Sequence, residues 1–129
     1  MDPQRARKIW RKANPRNLKV APWMPTMVVL ETTGRRSGQP RRVPLAKGPL
    51  DGDVAWLICV HGEQADYARN IAADPRVRLQ LGRTWRTGVA TLRPMDPDIR
   101  ARFSTFAKMG TKVAEHDPRL LRIDLDPAP

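Results

Sequence analysis

A chain of 129 residues suits one domain with a real core and leaves no room for separate cofactor and substrate domains. The net charge of +11 is unevenly spread, since residues 1–50 carry 12 Lys and Arg against two acids and the remainder carries 12 against 11. Such an excess attracts phosphates or polycarboxylates, whether on nucleic acid, a membrane surface or an acidic small molecule. The single cysteine, Cys59, excludes an internal disulfide. The start lacks the apolar core of a signal peptide, and no apolar run approaches the roughly 20 residues that cross a bilayer, so a cytoplasmic protein is expected.

Residues 1–25 read as a basic helix followed by an irregular lead-in with three prolines. Asp2 and Pro3 suit a helix start, and Ala6, Ile9, Trp10 and Ala13 share one face. The other face is basic, compatible with packing on the domain or with peripheral contact to a membrane. Residues 27–30 form a buried strand and residues 41–47 its neighbour, a hairpin with a long Gly-rich basic turn. Asp51-Gly52 is a turn signal before residues 54–60, the most continuous apolar run and so the expected central strand.

Residues 63–73 have a helical pattern closed by Asp74-Pro75. Val77, Leu79 and Leu81 alternate with Arg76, Arg78 and Gln80, the period of a strand with one wet face. Gly82-Arg83 turns the chain into a second alternating strand through Trp85, Thr87, Val89 and Thr91. Trp56 and Trp85 are expected in the core. Asp96-Pro97 opens an amphipathic helix carrying Ile99, Phe103 and Phe106, and Leu121, Ile123 and Leu125 mark a last strand. About six strands without regular strand-helix alternation predict a mainly β (α+β) fold, a small antiparallel barrel over residues 1–129 with flanking helices.

The chemistry concentrates in the turn Thr32-Thr33-Gly34-Arg35-Arg36-Ser37-Gly38 and in Arg41 and Arg42 beyond it. Glycines admit positive φ and bring amides close to a ligand, hydroxyls add donors, and arginine matches phosphate or carboxylate with a planar fork. It is no Walker loop, because three residues separate Gly34 from Gly38 where four are needed and no Lys-Ser/Thr pair follows. On spacing alone an ordinary solvated hairpin loop stands equally open. No metal site is expected: Cys59 has no partner at ligand spacing, and His61 and His116 stand apart.

The run Leu30-Glu31-Thr32-Thr33-Gly34-Arg35-Arg36-Ser37-Gly38-Gln39-Pro40-Arg41-Arg42-Val43-Pro44-Leu45 resembles the signature of the deazaflavin-dependent nitroreductase family. Asp66-Tyr67-Ala68-Arg69-Asn70-Ile71, then Asp74-Pro75 and Gly82-Arg83-Thr84-Trp85, resemble that family's helix, turn and following hairpin. The resemblance implies a split β-barrel binding coenzyme F420, a deazaflavin with a phosphate and glutamate tail, in preference to FMN. It assigns Thr33, Gly34, Arg35, Arg36, Ser37, Gly38, Arg41 and Arg42 to the phosphate and tail, and Val43, Pro44 and Leu45 to the ring. His61 and Gly62, at a strand exit, and Asn70 correspond to further cofactor positions. The family more often has Lys where Arg36 stands.

The implied activity is hydride transfer from the reduced cofactor to a small hydrophobic, electron-poor acceptor such as a quinone, an activated alkene or a nitro compound. An acid–base dyad is then not required, and no catalytic residue is assigned. Trp23 and Tyr67 are candidates for the substrate side, each also readable as packing. Against this stand a non-catalytic barrel carrying cofactor or lipid and a basic nucleic-acid module. The latter is not expected, because no aromatic platform is interleaved with the basic residues. Monomer and homodimer both suit the pattern.

Overall fold

The computed structural model describes residues 26–112 and 117–127, so the N-terminal basic helix, Trp10 and Trp23 lie outside the described residues. Among these, seven strands form one antiparallel sheet: β1 (Met27–Thr33), β2 (Pro40–Ala46), β3 (Leu50–Asp51), β4 (Val54–Cys59), β5 (Arg76–Leu81), β6 (Thr84–Arg93) and β7 (Arg119–Leu125). The helices are α1 (Asp66–Ala73), entered through a 3-10 turn over Gly62–Gln64, α2 (Pro97–Ala101) and α3 (Thr105–Lys112). The strand order is β2-β1-β5-β6-β7-β4-β3, and the sheet curls until β2 and β4 touch without pairing, which makes a split half-barrel.

Period-two alternation builds the inside. Val28 and Leu30 of β1, Val77 and Leu79 of β5, and Leu121, Ile123 and Leu125 of β7 point into one core, which Ile71 of α1 covers. Each fully buried Leu or Ile contributes about 2 kcal/mol of transfer free energy.

The long apolar run is not the central strand. β4 lies one strand from the sheet's end, and β6 occupies the middle. The run is continuous because both faces of β4 are covered. Ala55 and Leu57 face the barrel core, while Ile58, with Leu120 of β7, packs under Phe103 and Ala107. Nor is the covering helix a single one. Asp96 caps α2, accepting from the amides of Asp98 (2.8 Å) and Ile99 (3.3 Å), and Ser104 Oγ accepts from the Ala107 amide at 3.1 Å to begin α3. That restart leaves Phe103 buried between the helices and turns Phe106 outward, where it is 58% exposed. Strand β3 was not read because two residues carry no periodicity. The Asp51-Gly52 signal does mark its turn, with Leu50 opposite Ala55.

Trp85 sits half-buried outside the barrel instead of in its core, while Trp56, also half-buried, packs against the second cluster beneath Phe103. Their strand positions share a face with Arg122, and with Arg42 and Arg78. The Arg122 guanidinium lies 5.8 Å from the Trp56 ring, and those of Arg42 and Arg78 lie 4.6 and 4.7 Å from that of Trp85. Strand β2 tolerates two prolines because Pro40 and Pro44, opposite Thr33 and Val29, take positions whose amides point away from β1. Two donors are thereby missing along the side where β2 would have to pair for the barrel to close.

Candidate functional site

The basic turn joins β1 to β2 and is closed by its own backbone. The Gly34 amide donates to the Gln39 carbonyl and the Gly38 amide to the Gly34 carbonyl, both at 2.8 Å. Gly38 has φ +70°, a conformation that side-chain-bearing residues rarely adopt. Gly34 is needed for space, since a Cβ there would stand 2.8 Å from Ser37 Oγ and 3.1 Å from the Gln39 carbonyl oxygen. Ser37 Oγ accepts from the Gln39 amide at 3.2 Å and from Arg41 Nη2 at 3.4 Å, which leaves its own proton to donate. The next amides along, those of Arg36 and Ser37, have no acceptor among the described residues, and the exposed Arg36 guanidinium has no partner there. Two successive amides, one hydroxyl and two guanidinium groups thus gather at one tip, a donor set suited to phosphate or carboxylate oxygens.

The other arginines of the segment are engaged elsewhere. Arg35 Nη1 donates to Asn70 Oδ1 at 2.8 Å and to the Asp66 carbonyl at 3.4 Å, while Nη2 lies 3.6 Å from the Asp66 carboxylate. Arg42 is on the opposite face of β2 from Arg41 and donates through Nε to Glu31 at 2.8 Å. Arg78 grips the same carboxylate with Nε and Nη2 at 2.8 and 2.9 Å. The Arg78 hydrogen bond, supported by Arg42, holds the Glu31 carboxyl below the usual range against the opposing effect of burial.

The turn residues Gly34, Arg36, Ser37, Gly38 and Arg41 are therefore brought together. Arg35 and Asn70 hold the turn from behind, and Arg42 joins the sheet's outer face. Thr33 stands at the hairpin's end opposite Pro40. Val43 and Leu45 pack on the core side of β2, whereas Pro44 is fully buried on the other side, so these three share no single surface. His61 is exposed at the start of the 3-10 turn, and Gly62 is buried against the Asp117 carbonyl. Thr32, named from the sequence as a hydroxyl of the turn, is buried and spends its oxygen on Asn70, and Asp66 was not among the candidates. Asp66 could have been read from its spacing, one helical turn before Asn70, whereas the inward aim of Thr32 needed the hairpin register.

Tyr67 faces inward too. It packs on the main core and against fully buried Cys59, whose thiol donates to the Gly62 carbonyl at 3.1 Å. Burial raises both pKa values, that of Tyr67 well above its ordinary range with help from Cys59. Protons that leave readily in the unfolded chain are thus retained in the folded one. Stability is complete below the ordinary thiol pKa of 9.0 and falls as pH rises above it. The thermal midpoint should drop between pH 8.5 and 10.5, and Tyr67→Phe with Cys59→Ala should flatten that slope; an unchanged slope would exclude this pair as its source.

A cleft of about 450 Å³ opens on the other flank of α1, between it and β6, walled by Ala68, Ile71, Ala72, Ala90 and Leu92 with Glu63, Arg69 and Thr91. Among the described residues no helix is long and apolar enough to cross a membrane, and no group of three or more His, Cys, Asp or Glu could hold a metal.

Solved structures share this fold. General Stress Protein 26 from Bacillus anthracis str. Sterne is similar at TM-score 0.63 and 18% identity, over 86% of this chain and 88% of that one. HutZ, a heme storage protein from Vibrio cholerae, gives TM-score 0.60 and 16% identity over 88% and 90%. An F420-H2 dependent reductase, FDR-A, gives 0.54 and 22% over 76% and 93%. At these identities the likeness establishes architecture only. No curated protein matches by sequence. Residues 5–124, nearly the whole chain, match a described family across the turn, α1 and every strand to within one residue of the end of β7: the chain belongs to the F420H(2)-dependent quinone reductase family.

Proposed function

We propose that the protein is a reductase that uses reduced coenzyme F420 and delivers hydride to a small hydrophobic, electron-poor acceptor, with a quinone, activated alkene or nitro compound as the acceptor class. The observation that carries this reading is the donor set at the tip of the β1–β2 turn in a chain of this family. The donors fit the group: its phosphate and carboxylates need several hydrogen-bond donors and positive charge, and the turn presents both with no acid among residues 32–42. Arg36, Ser37 and Arg41 would hold the acidic tail. Gly34 and Gly38 let the backbone close the turn, Thr33 flanks it at the end of β1, and Val43 and Leu45, on the same side of β2, would be the strand's contribution to holding the ring.

When bound, the reduced deazaflavin supplies the hydride. The chain's share is to bind, orient and exclude water, which is why the site needs donors and apolar walls and no acid–base dyad. Titrating the purified protein with oxidised F420, followed by the cofactor's absorbance and fluorescence, should give saturable binding at micromolar concentration. Mixing with reduced F420 and a short-chain quinone should return the oxidised spectrum. Absence of binding would overturn the proposal; binding without turnover of any quinone, alkene or nitro acceptor would favour a cofactor carrier.

A further inference from the structure

Asn70 is one of two polar residues among the described set that are almost fully buried, at 4% exposure, and the other is its partner Thr32, at 2%. Its carboxamide is used on both sides. Oδ1 accepts from the Arg35 amide at 3.2 Å and from Arg35 Nη1 at 2.8 Å, while Nδ2 donates to Thr32 Oγ1 at 3.1 Å. One side chain of α1 therefore grips the last inward residue of β1 together with the backbone and side chain of the residue that enters the turn's tip. A buried amide with three such bonds made has strong reason to keep one geometry, because breaking any of them there leaves a group unpaired at a cost.

The consequence falls on the neighbouring amides. With the Arg35 N–H spent on Asn70, and Gly34 and Gly38 on closing the loop, the Arg36 and Ser37 amides remain as an adjacent pair without an acceptor among the described residues. Asp66 draws on the Arg35 guanidinium from the same helix, one turn earlier. Arg35, though exposed, thereby commits its Nη1 to α1 and serves as the handle by which that helix holds the turn.

We propose that Asn70 is a positioning residue: buried behind the turn and out of reach of solvent, it fixes the conformation in which the Arg36 and Ser37 amides face an incoming anion. This rests on the reading of the turn as the seat of the cofactor's acidic tail. It differs from a ligand role, because the carboxamide oxygen and one of its N–H groups are already engaged by the protein at an almost fully buried position.

The test separates the two claims. Asn70→Ala, Asn70→Asp and wild type are compared by F420 affinity, by thermal midpoint, and by the rate at which trypsin cuts the folded protein after Arg35 or Arg36, read from fragment masses. Asn70→Ala should weaken F420 binding about tenfold or more and speed cleavage at the turn by a similar factor, while cleavage after arginines of β5 and β6 keeps pace only with the fall in midpoint. Asn70→Asp keeps an acceptor for Arg35, and Thr32 can donate to its second oxygen, so turn protection should return. Its added charge should leave F420 affinity reduced in a salt-dependent way. If Asn70→Ala leaves the turn as protease-resistant as in wild type, or opens all sites equally, the positioning role is wrong. If wild type fails to bind F420 while the protease pattern holds, the functional reading fails and the positioning of the turn stands.

Discussion

Charge reversal at Arg36 is expected to weaken F420 binding by about 100-fold at low salt while leaving the thermal midpoint within a degree or two of wild type. Arg36 is the one arginine of the segment with no partner among the described residues, so Arg36→Glu breaks no bond on which the fold depends. Arg35 is held by Asn70 and Asp66, Arg41 leans on Ser37, and Arg42 is paired with Glu31. Losing one charge-assisted hydrogen bond costs about 1.5–3 kcal/mol, and a carboxylate in its place adds repulsion. Raising salt should shrink the difference, because screening weakens exposed charges. Arg93→Glu makes the same change of net charge at an exposed position at the end of β6 and serves as the control. Equal losses in both variants would show that overall charge, and not the turn, attracts the cofactor.

The largest expected loss of stability lies at Ile123. In β7 this fully buried residue is paired on one side with Ala55 of β4 and on the other with Ala90 of β6. Ile123→Ala would place three alanines side by side across the barrel interior, and neither immediate neighbour in that row is large enough to fill the void. Truncations of this kind cost about 2–5 kcal/mol, more when the site cannot collapse. Against a typical total of about 5–15 kcal/mol, a midpoint lowered by on the order of 10 °C is expected, measured by thermal denaturation. Ile123→Val should recover most of it. A drop of only a degree or two for Ile123→Ala would mean that the barrel closes over the gap and that its interior is softer than its burial implies.

The alternation of Val77, Leu79 and Leu81 with Arg and Gln, and the turn signals at Gly52 and Gly82, made the antiparallel strands legible because such strands have one wet face. Where that premise fails, so does the reading. Residues 54–60 lack alternation because helices cover the second face of β4, and a continuous run cannot distinguish that from a central position. Ser104 looked like a residue within a helix, and only its hydrogen bond to the Ala107 amide shows that it starts a new one. Hydropathy assigned Trp85 to the core, whereas two guanidinium groups stack on it at the outer face. In the turn, residue types told the chemistry well, but the division of labour among four arginines depended on which side of β2 each lies and on Asn70, 35 residues away from Arg35.

Strand β7 occupies a place with a consequence for how the molecule is made. It is the last strand in sequence, yet it lies between β6 and β4 and pairs along its length with both. The hairpins β1–β2 and β5–β6 can form from neighbouring segments, but β4 finds its main partner some 70 residues later, with Val54 opposite Asp124. Until β7 arrives, β4 has only the two residues of β3 paired along its edges. Joining the halves through so distant a pairing places this protein among slow folders relative to helical chains of its size, with an interval during synthesis when β4 is open to wrong partners.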